Sequence, residues 1–370
     1  MTATSDREQK GQSIAQLNGQ VSRVNELSYV VKSQSSNGCY DVLSTELGWV
    51  FSCPDHIYRG VKCKHIYAVE LSFALRKEVE VRRIEPITNT SNCIFCHSSN
   101  IVKDGIRHNK YGNIQKYNCK DCKHYFTINL GFEKMRATPQ VITSAMQLYF
   151  TGESLRNVQK FLRLQGVNVS HTAIYKWIKK YVSLMEKYLE QIKPKVSDIW
   201  RTDELYLKVK GNTKYLFALM DDETRFWIAQ QVADRKNTSD INPLFRKGKE
   251  VTGKRPMTLI SDGAPNFHDA YRKEFFTLKN PRTRHIRHIR FQGDNNNHKM
   301  ERMNGEVRDR EKVMRGLKKV DTPILTGYQI YHNYVRPHEG LDGKTPAEVC
   351  GIKIEGRDKW KALIENSSMI

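Results

Sequence analysis

The chain has 370 residues, 39% hydrophobic and 27% charged, with a mean hydropathy of −0.63: enough apolar material for a packed core, in about two to four modules. No apolar run approaches the roughly 20 residues of a membrane-crossing helix, and MTATSDREQKGQ has no apolar h-region, which argues against a membrane span and a secretory signal. Lys and Arg number 61 against 40 Asp and Glu, a net charge of +21; this favours a polyanionic partner, since each neutralised phosphate releases counterions, and a chain without a signal is expected to stay in the cytoplasm, at the nucleoid.

Residues 1–20 are polar and expected to fray. From Ser28 the runs SYVVKSQ, CYDVLST and GWVFSC alternate like strands, joined by SSNG and TELG turns. In the following CPDHIYRGVKCKHIYAVELSFALRK, Cys63 and His65 open a helix with Ile66, Val69 and Leu71 among its apolar positions. In a cytosolic chain with eight cysteines, spacing points to metal rather than disulfides. The segment resembles a SWIM-type zinc finger, whose pattern is C-x-C, a gap, then C-x-H. Cys53, Cys63 and His65 match it, whereas the family's first cysteine falls at Phe51. Tetrahedral zinc takes four ligands; His56, or Cys39 on the preceding strand, is the candidate for the fourth. Residues 1–88 are read as this small β/α finger.

A linker, ITNTSN, leads to residues 89–136. Cys93-x2-Cys96 and Cys119-x2-Cys122 stand 22 residues apart, slightly wider than usual for a zinc ribbon. Two such knuckles close a structural zinc tetrahedron, and four thiolates leave no open position for catalysis. Between them, basic and aromatic residues alternate on expected strands. His97, His108 and His124 are read as exposed or phosphate-facing rather than as ligands.

Residues 137–196 read as helices. Thr138-Pro139 offers an N-cap and first-turn proline, Gly166 stops a second helix, and Ser170 caps a third. Ile174, Trp177, Ile178 and Val182 supply its apolar face, with Trp177 expected in the core. Tyr175, Lys176, Lys179 and Lys180 stand where a helix-turn-helix domain meets a major groove.

Residues 197–352 begin with three strands, in IWRTDELYLKVKG and KYLFALMDDETRFWIAQQVADR. A crossover helix, the strand RPMTLISDG, the helix APNFHDAYRKEFF, the strand RHIRHIRF and the long helix NHKMERMNGEVRDREKVMRGLK follow. This is the order of an α/β ribonuclease-H-like catalytic core, a mixed five-stranded sheet with helices. Residues 353–370 are left as a C-terminal tail. Asp203 in the first strand, Asp262 closing the fourth and Glu301 opening the last helix are expected to converge. Converged carboxylates raise one another's pKa unless a cation neutralises them, and oxygen ligands suit Mg²⁺ or Mn²⁺. By the two-residue strand period Glu204 faces the other way and is structural. Asp221, Asp222 and Glu223 are placed in a hairpin turn, and Asp294 as a helix cap. Arg302, Arg308, Arg310, Lys312 and Arg315 are candidates to track DNA phosphates.

TDELYLKVKG, LISDGAPNF, NNNHKMERMNGEVRDREKVMRG and YHNYVRPHEGLDGKTPAEVCGI resemble the core of insertion-sequence DDE transposases of the integrase-core superfamily, over about residues 198–352. A SWIM-like module occurs in some archaeal-type relatives. The resemblance makes Asp203, Asp262 and Glu301 the catalytic triad, holding two Mg²⁺ (or Mn²⁺) ions per site. It implies cleavage and strand transfer of double-stranded DNA, with terminal inverted repeats held by a homodimer or higher assembly; one or two structural zinc ions complete the cofactors. The 38 residues between Asp262 and Glu301 exceed the group's usual spacing, and Glu306 is the rival third acid. RPHEGLDGKTP, with Tyr334, Arg336 and His338, resembles the closing motif and is expected to pack over the core. The alternative reading is a decayed or domesticated transposase kept as a DNA-binding protein.

Overall fold

The structure, a computed structural model, describes residues 6–17, 20–24, 28–36, 38–45, 48–59, 61–77, 81–87, 92–109, 112–127, 130–133, 135–278, 282–288, 298–314, 317 and 323–369. Most of the expected linker, Asp294 and Arg315 lie outside them. Two compact units result: Met1–Glu80 with Lys195–Leu205 and Tyr215–Asn304, and Val81–Pro194 with Tyr206–Lys214 and Gly305–Ile370.

The chain opens with a helix, α1 (Asp6–Gln16), where fraying was expected. Its one large apolar residue, Ile14, is fully buried, which suffices to dock a short polar helix. β1 (Val21–Arg23), β2 (Ser28–Lys32), β3 (Cys39–Thr45) and β4 (Gly48–Phe51) pair antiparallel in that order. α2 (Pro54–Arg59) and α3 (Lys64–Lys77) follow, with Val31, Val42, Ile66 and Val69 in the shared core. Gly11 is required where α1 crosses α3: a Cβ there would stand 2.5 Å from the Tyr67 Cβ and 2.8 Å from the Lys64 carbonyl oxygen.

After β5 (Arg82–Ile84), β6 (Ile101–Asn109), β7 (Gly112–Cys119) and β8 (Tyr125–Thr127) form an antiparallel sheet over Cys93, Cys119 and Phe126. The helices α4 (Pro139–Thr151), α5 (Leu155–Leu164) and α6 (His171–Leu189) come next. Thr138, Ser154 and Ser170 cap them, each side chain accepting a backbone N–H three residues on. The buried stripe of α6 runs through Ile174, Ile178, Tyr181, Val182 and Met185. Trp177 sits at the edge of that stripe and is only half-buried, a correction to its expected core position.

β9 (Ile199–Val209), β10 (Asn212–Asp221) and β11 (Trp227–Ala233) lead to α7 (Thr238–Thr252), β12 (Thr258–Asp262), α8 (Pro265–Glu274), β13 (Arg284–His288) and α9 (His298–Met314). The sheet order is β11-β10-β9-β12-β13. β10 and β11 are antiparallel, while β12 runs parallel to both β9 and β13. This mixed five-stranded sheet with helices is the ribonuclease-H-like arrangement that the element order implied.

α10 (Pro323–Ile330), a π-helical turn at Tyr331–Val335, α11 (Pro346–Val349), β14 (Ile352–Ile354) and α12 (Lys359–Ser367) complete the chain. The expected tail is therefore structure. β14 pairs parallel with β5, and Trp360 of α12 stacks on Phe150 at 5.3 Å and donates Nε1 to Gln147 Oε1 at 2.8 Å. Burial of Trp360, Leu363 and Ile364 holds that helix in place. Among the described residues, no helix is long and apolar enough to cross a membrane.

Candidate active site and metal centres

β9 and β12 pair Thr258 with Ile199 and Ile260 with Arg201. Two residues further along each strand stand Asp203 and Asp262. Carboxylate oxygens of Asp203, Glu204 and Asp262 all lie within 4.8 Å of one another. The expectation that Glu204 turns away fails: strand alternation fixes the direction of Cβ, but a glutamate carboxylate sits two further rotatable bonds out. Glu204 Oε1 accepts from Lys236 Nζ at 2.5 Å.

Asp203 Oδ1 accepts the Glu204 backbone N–H at 2.9 Å, and Oδ2 accepts Asn304 Nδ2 at 2.8 Å. Burial, then the negative charges of Glu204, Asp262 and Glu301, push the Asp203 carboxyl up to about 7. Glu301 therefore acts on Asp203 electrostatically, yet its carboxylate stands outside the 4.8 Å group. Its side chain is 56% exposed, with Oε2 at 3.2 Å from His298 Nδ1. The rival Glu306 is committed elsewhere, accepting Arg336 Nη1 at 2.5 Å and Nη2 at 3.0 Å. Asn304 was missed by sequence reasoning, although its place three residues after Glu301, on the same helix face, was a readable signal.

The first turn of α9 is tied down by Lys299, whose Nζ donates to the Asp222 carbonyl and to Asp222 Oδ1, both at 3.1 Å. Asp222 also takes the guanidinium of Arg201. Burial opposes ionisation of Asp222, but the charges of Arg201 and Lys299 prevail and hold its carboxyl below the usual carboxylate range. Asp221 is fully buried and accepts from Ser197 N at 2.9 Å, Ser197 Oγ at 2.6 Å, Thr224 N at 2.9 Å and Thr224 Oγ1 at 2.5 Å. Asp222 and Glu223 lie in the turn between β10 and β11, as expected, with Asp221 closing β10, and the two aspartates are buried ties there.

In the first module, donor atoms of Cys53, Cys63 and His65 lie within 4.8 Å of one another. Burial, then the charge of Lys64, lowers His65 to about 4, so its imidazole is neutral at pH 7, the form that ligates metals. Neither fourth-ligand candidate joins the group. His56 Nδ1 is 2.9 Å from the Val61 carbonyl oxygen, and Cys39 is exposed on β3.

The second module gathers Cys93, Cys96, Cys119 and Cys122 within the same limit, with Cys93 and Cys122 sulfurs 3.5 Å apart and Cys96 and Cys119 sulfurs 3.6 Å apart. Both CxxC turns close alike. His97 and Lys123, the residues after each pair, are left-handed at φ 57° and 61°, and donate their N–H groups to the Cys93 and Cys119 carbonyls at 2.9 and 3.0 Å. The backbone N–H groups of Cys122 and Asp121 pull the Cys119 thiol down to about 7. The histidines stay out of the sulfur group: His124 packs on Phe95 and His108 Nδ1 meets Asn113 Oδ1 at 2.9 Å.

On α6, Lys176 and Lys179 are exposed and Tyr175 is half-buried. Lys180, though exposed, reaches back to the Gly131 carbonyl at 3.4 Å and over the Tyr181 ring. Arg302, Arg308 and Lys312 are exposed, Lys312 pairing with Asp309 at 2.8 Å. Arg310 is a correction: it is 3% exposed, 4.2 Å over the Tyr149 ring, and donates Nη2 to the Glu153 carbonyl at 3.2 Å. A charge on a solvated-looking helix face is here enclosed by α4. In the closing motif, Tyr334 and His338 are buried and Arg336 holds Glu306, so packing accounts for all three.

Residues 197–338 match a family model described as a DDE domain. The transposase of the insertion sequence-like element IS431mec from Staphylococcus aureus is 30% identical over 153 residues, 40% of this chain and 66% of that protein. The transposase of insertion sequence IS257 in transposon Tn4003, also from Staphylococcus aureus, matches equally. The chain thus spans a little under two thirds of these relatives. An uncharacterized protein of Methanocaldococcus jannaschii is 25% identical over 132 residues, 36% of this chain and 59% of that protein. Among solved structures, the catalytic core domain of HTLV-2 integrase in complex with magnesium aligns at 17% identity and a TM-score of 0.32, over 43% of this chain and 98% of that one.

Proposed function

We propose that this chain is a DDE transposase: it binds the terminal inverted repeats of an insertion sequence and catalyses divalent-metal-dependent cleavage and strand transfer of DNA. The observation that carries the reading is the pairing of β9 with β12, which brings Asp203 beside Asp262 within the stretch that matches the DDE domain.

The donor set is all oxygen and fits Mg²⁺ or Mn²⁺: Asp203 within β9 and Asp262 at the end of β12, with Glu301 on the first turn of α9. A divalent cation bound there polarises phosphoryl oxygens and activates the attacking one. Asn304 fixes the rotamer of Asp203, and Lys299 and Asp222 fix the turn that carries Glu301. Water attacks the phosphodiester at the element's tip and releases a 3′-hydroxyl. That oxygen then forms a new P–O bond with a target strand as the old P–O bond breaks and a proton leaves. One site serves both steps, since only the nucleophile differs.

The paired CxxC turns fit a zinc ribbon: Zn–S bonds of about 2.3 Å give sulfur separations near 3.8 Å, close to those seen. Cys53, Cys63 and His65 suit a second zinc in a SWIM-like finger. The capped helices α4 to α6 suit a helix-turn-helix, with Tyr175, Lys176 and Lys179 toward DNA, while Arg302, Arg308 and Lys312 suit phosphates near the cut. Two element ends imply a dimer or larger assembly on DNA. The test is nicking and joining of end-bearing DNA in Mg²⁺. Wild type should do both and Asp203→Ala neither; no reaction by the metal-loaded wild type on its own element's ends would refute the proposal.

A further inference from the structure

We infer that Glu204 is a further cation-facing carboxylate of this centre, and that Lys236 is the countercharge that sets its affinity for the cation. The inference rests on the metal-site reading above and adds residues that the triad does not include.

Glu204 shares the 4.8 Å group with Asp203 and Asp262, which Glu301 does not. The Glu204 side chain is 9% exposed, and its two oxygens differ. Oε1 holds the Lys236 ammonium, whereas Oε2 is buried with no hydrogen-bond partner among the described residues. A second buried acceptor stands at the same place. Asn304, 3% exposed, spends its Nδ2 on Asp203 and leaves Oδ1 without a partner among the described residues. Two buried oxygens that lack donors, one a carboxylate and one an amide oxygen, beside the grouped carboxylates of Asp203, Glu204 and Asp262, suit a hard cation better than a hydrogen-bond network.

Lys236 is itself held in place. Asn266 Nδ2 donates to its carbonyl at 2.8 Å, and its ammonium stands 5.1 Å over the Tyr215 ring. Anchored on Oε1, it leaves Oε2 to the cation. It also offsets one of the three negative charges that Asp203, Glu204 and Asp262 bring together, which limits both their repulsion and their pull on a divalent ion.

Mn²⁺ binding to the full chain, followed by calorimetry alongside the melting temperature of the metal-free protein, tests this. Glu204→Gln should weaken Mn²⁺ binding roughly tenfold. Lys236→Met should tighten it. An ordinary structural ion pair predicts that both variants lower the melting temperature and leave Mn²⁺ affinity at the wild-type value, and that result overturns the inference. Should Glu204→Gln fail to fold, unchanged affinity in Lys236→Met has the same force. Asp203→Ala separates the two levels. If it binds Mn²⁺ like wild type, the metal centre itself is wrong; if it loses binding while Glu204→Gln keeps it, only the role of Glu204 falls.

Discussion

Asn304 donates its Nδ2 amide to Asp203 Oδ2 at 2.8 Å, and so couples the helix that carries Glu301 to the strand that carries the first aspartate. An Asp carboxylate has a broad, nearly two-fold χ2 preference. A fixed donor on one oxygen orients the other. Asn304→Ala should therefore cut strand-transfer rates by about 10–100-fold while DNA affinity stays at the wild-type level. Single-turnover assays beside a binding assay read the two quantities; equal losses in both would contradict the positioning role.

Asp203 sets a pH dependence. Its folded carboxyl titrates near 7, above the ordinary value of 3.8, so between about pH 4 and 7 the folded chain binds more protons than the unfolded one. The metal-free protein should lose stability as pH rises through that window, and Asp203→Asn should remove the dependence. Cation binding runs the other way, because the proton must leave first. Mn²⁺ affinity should fall on going from pH 8 to pH 6 in wild type.

Asp222 bridges Arg201 and Lys299 out of water. Asp222→Ala removes the buried carboxylate shared by buried Arg201 and half-buried Lys299 and should destabilise the protein by roughly 3–5 kcal/mol, as read by chemical denaturation. Lys299→Met, at the more exposed end, should cost less stability yet still reduce activity, since it frees the turn before Glu301.

Arg310 and the α6 lysines should separate cleanly. Arg310→Ala removes a buried cation from Tyr149 and the Glu153 carbonyl and should lower the melting temperature. Lys176→Ala or Lys179→Ala should leave stability unchanged, weaken DNA binding, and each reduce the salt slope by about one. Salt titrations of binding and thermal melts of the three variants check this.

The proposed zinc ribbon of Cys93, Cys96, Cys119 and Cys122 predicts at least one tightly held zinc per chain. Elemental analysis should find it, and Cys96→Ser should lose one equivalent together with the order of the hairpin. Purified protein without zinc, yet folded and DNA-binding, would contradict the assignment.

Much of the core was legible because its signals are local. Alternation marked β9 to β13, proline and threonine marked the start of α4, and serine the start of α6. Asp203 within β9 and Asp262 at the end of β12 could be paired once the strand order was inferred. What escaped depends on contacts distant in sequence. Nothing near Arg310 indicates that Tyr149 encloses it, and nothing near Lys236 indicates that it reaches Glu204. The period-two rule fixed the Cβ of Glu204 but not its carboxylate. The tail was a different kind of miss: Trp360, Leu363 and Ile364 have helical spacing behind the cap Asp358, so α12 was readable.

Anomalous diffraction from crystals soaked in Mn²⁺ tests the centre most directly. The account predicts a manganese peak bound by both Asp203 and Asp262, with the Glu301 carboxylate turned in to join them. Manganese absent from those two side chains, in protein that still cuts and joins DNA, would contradict it.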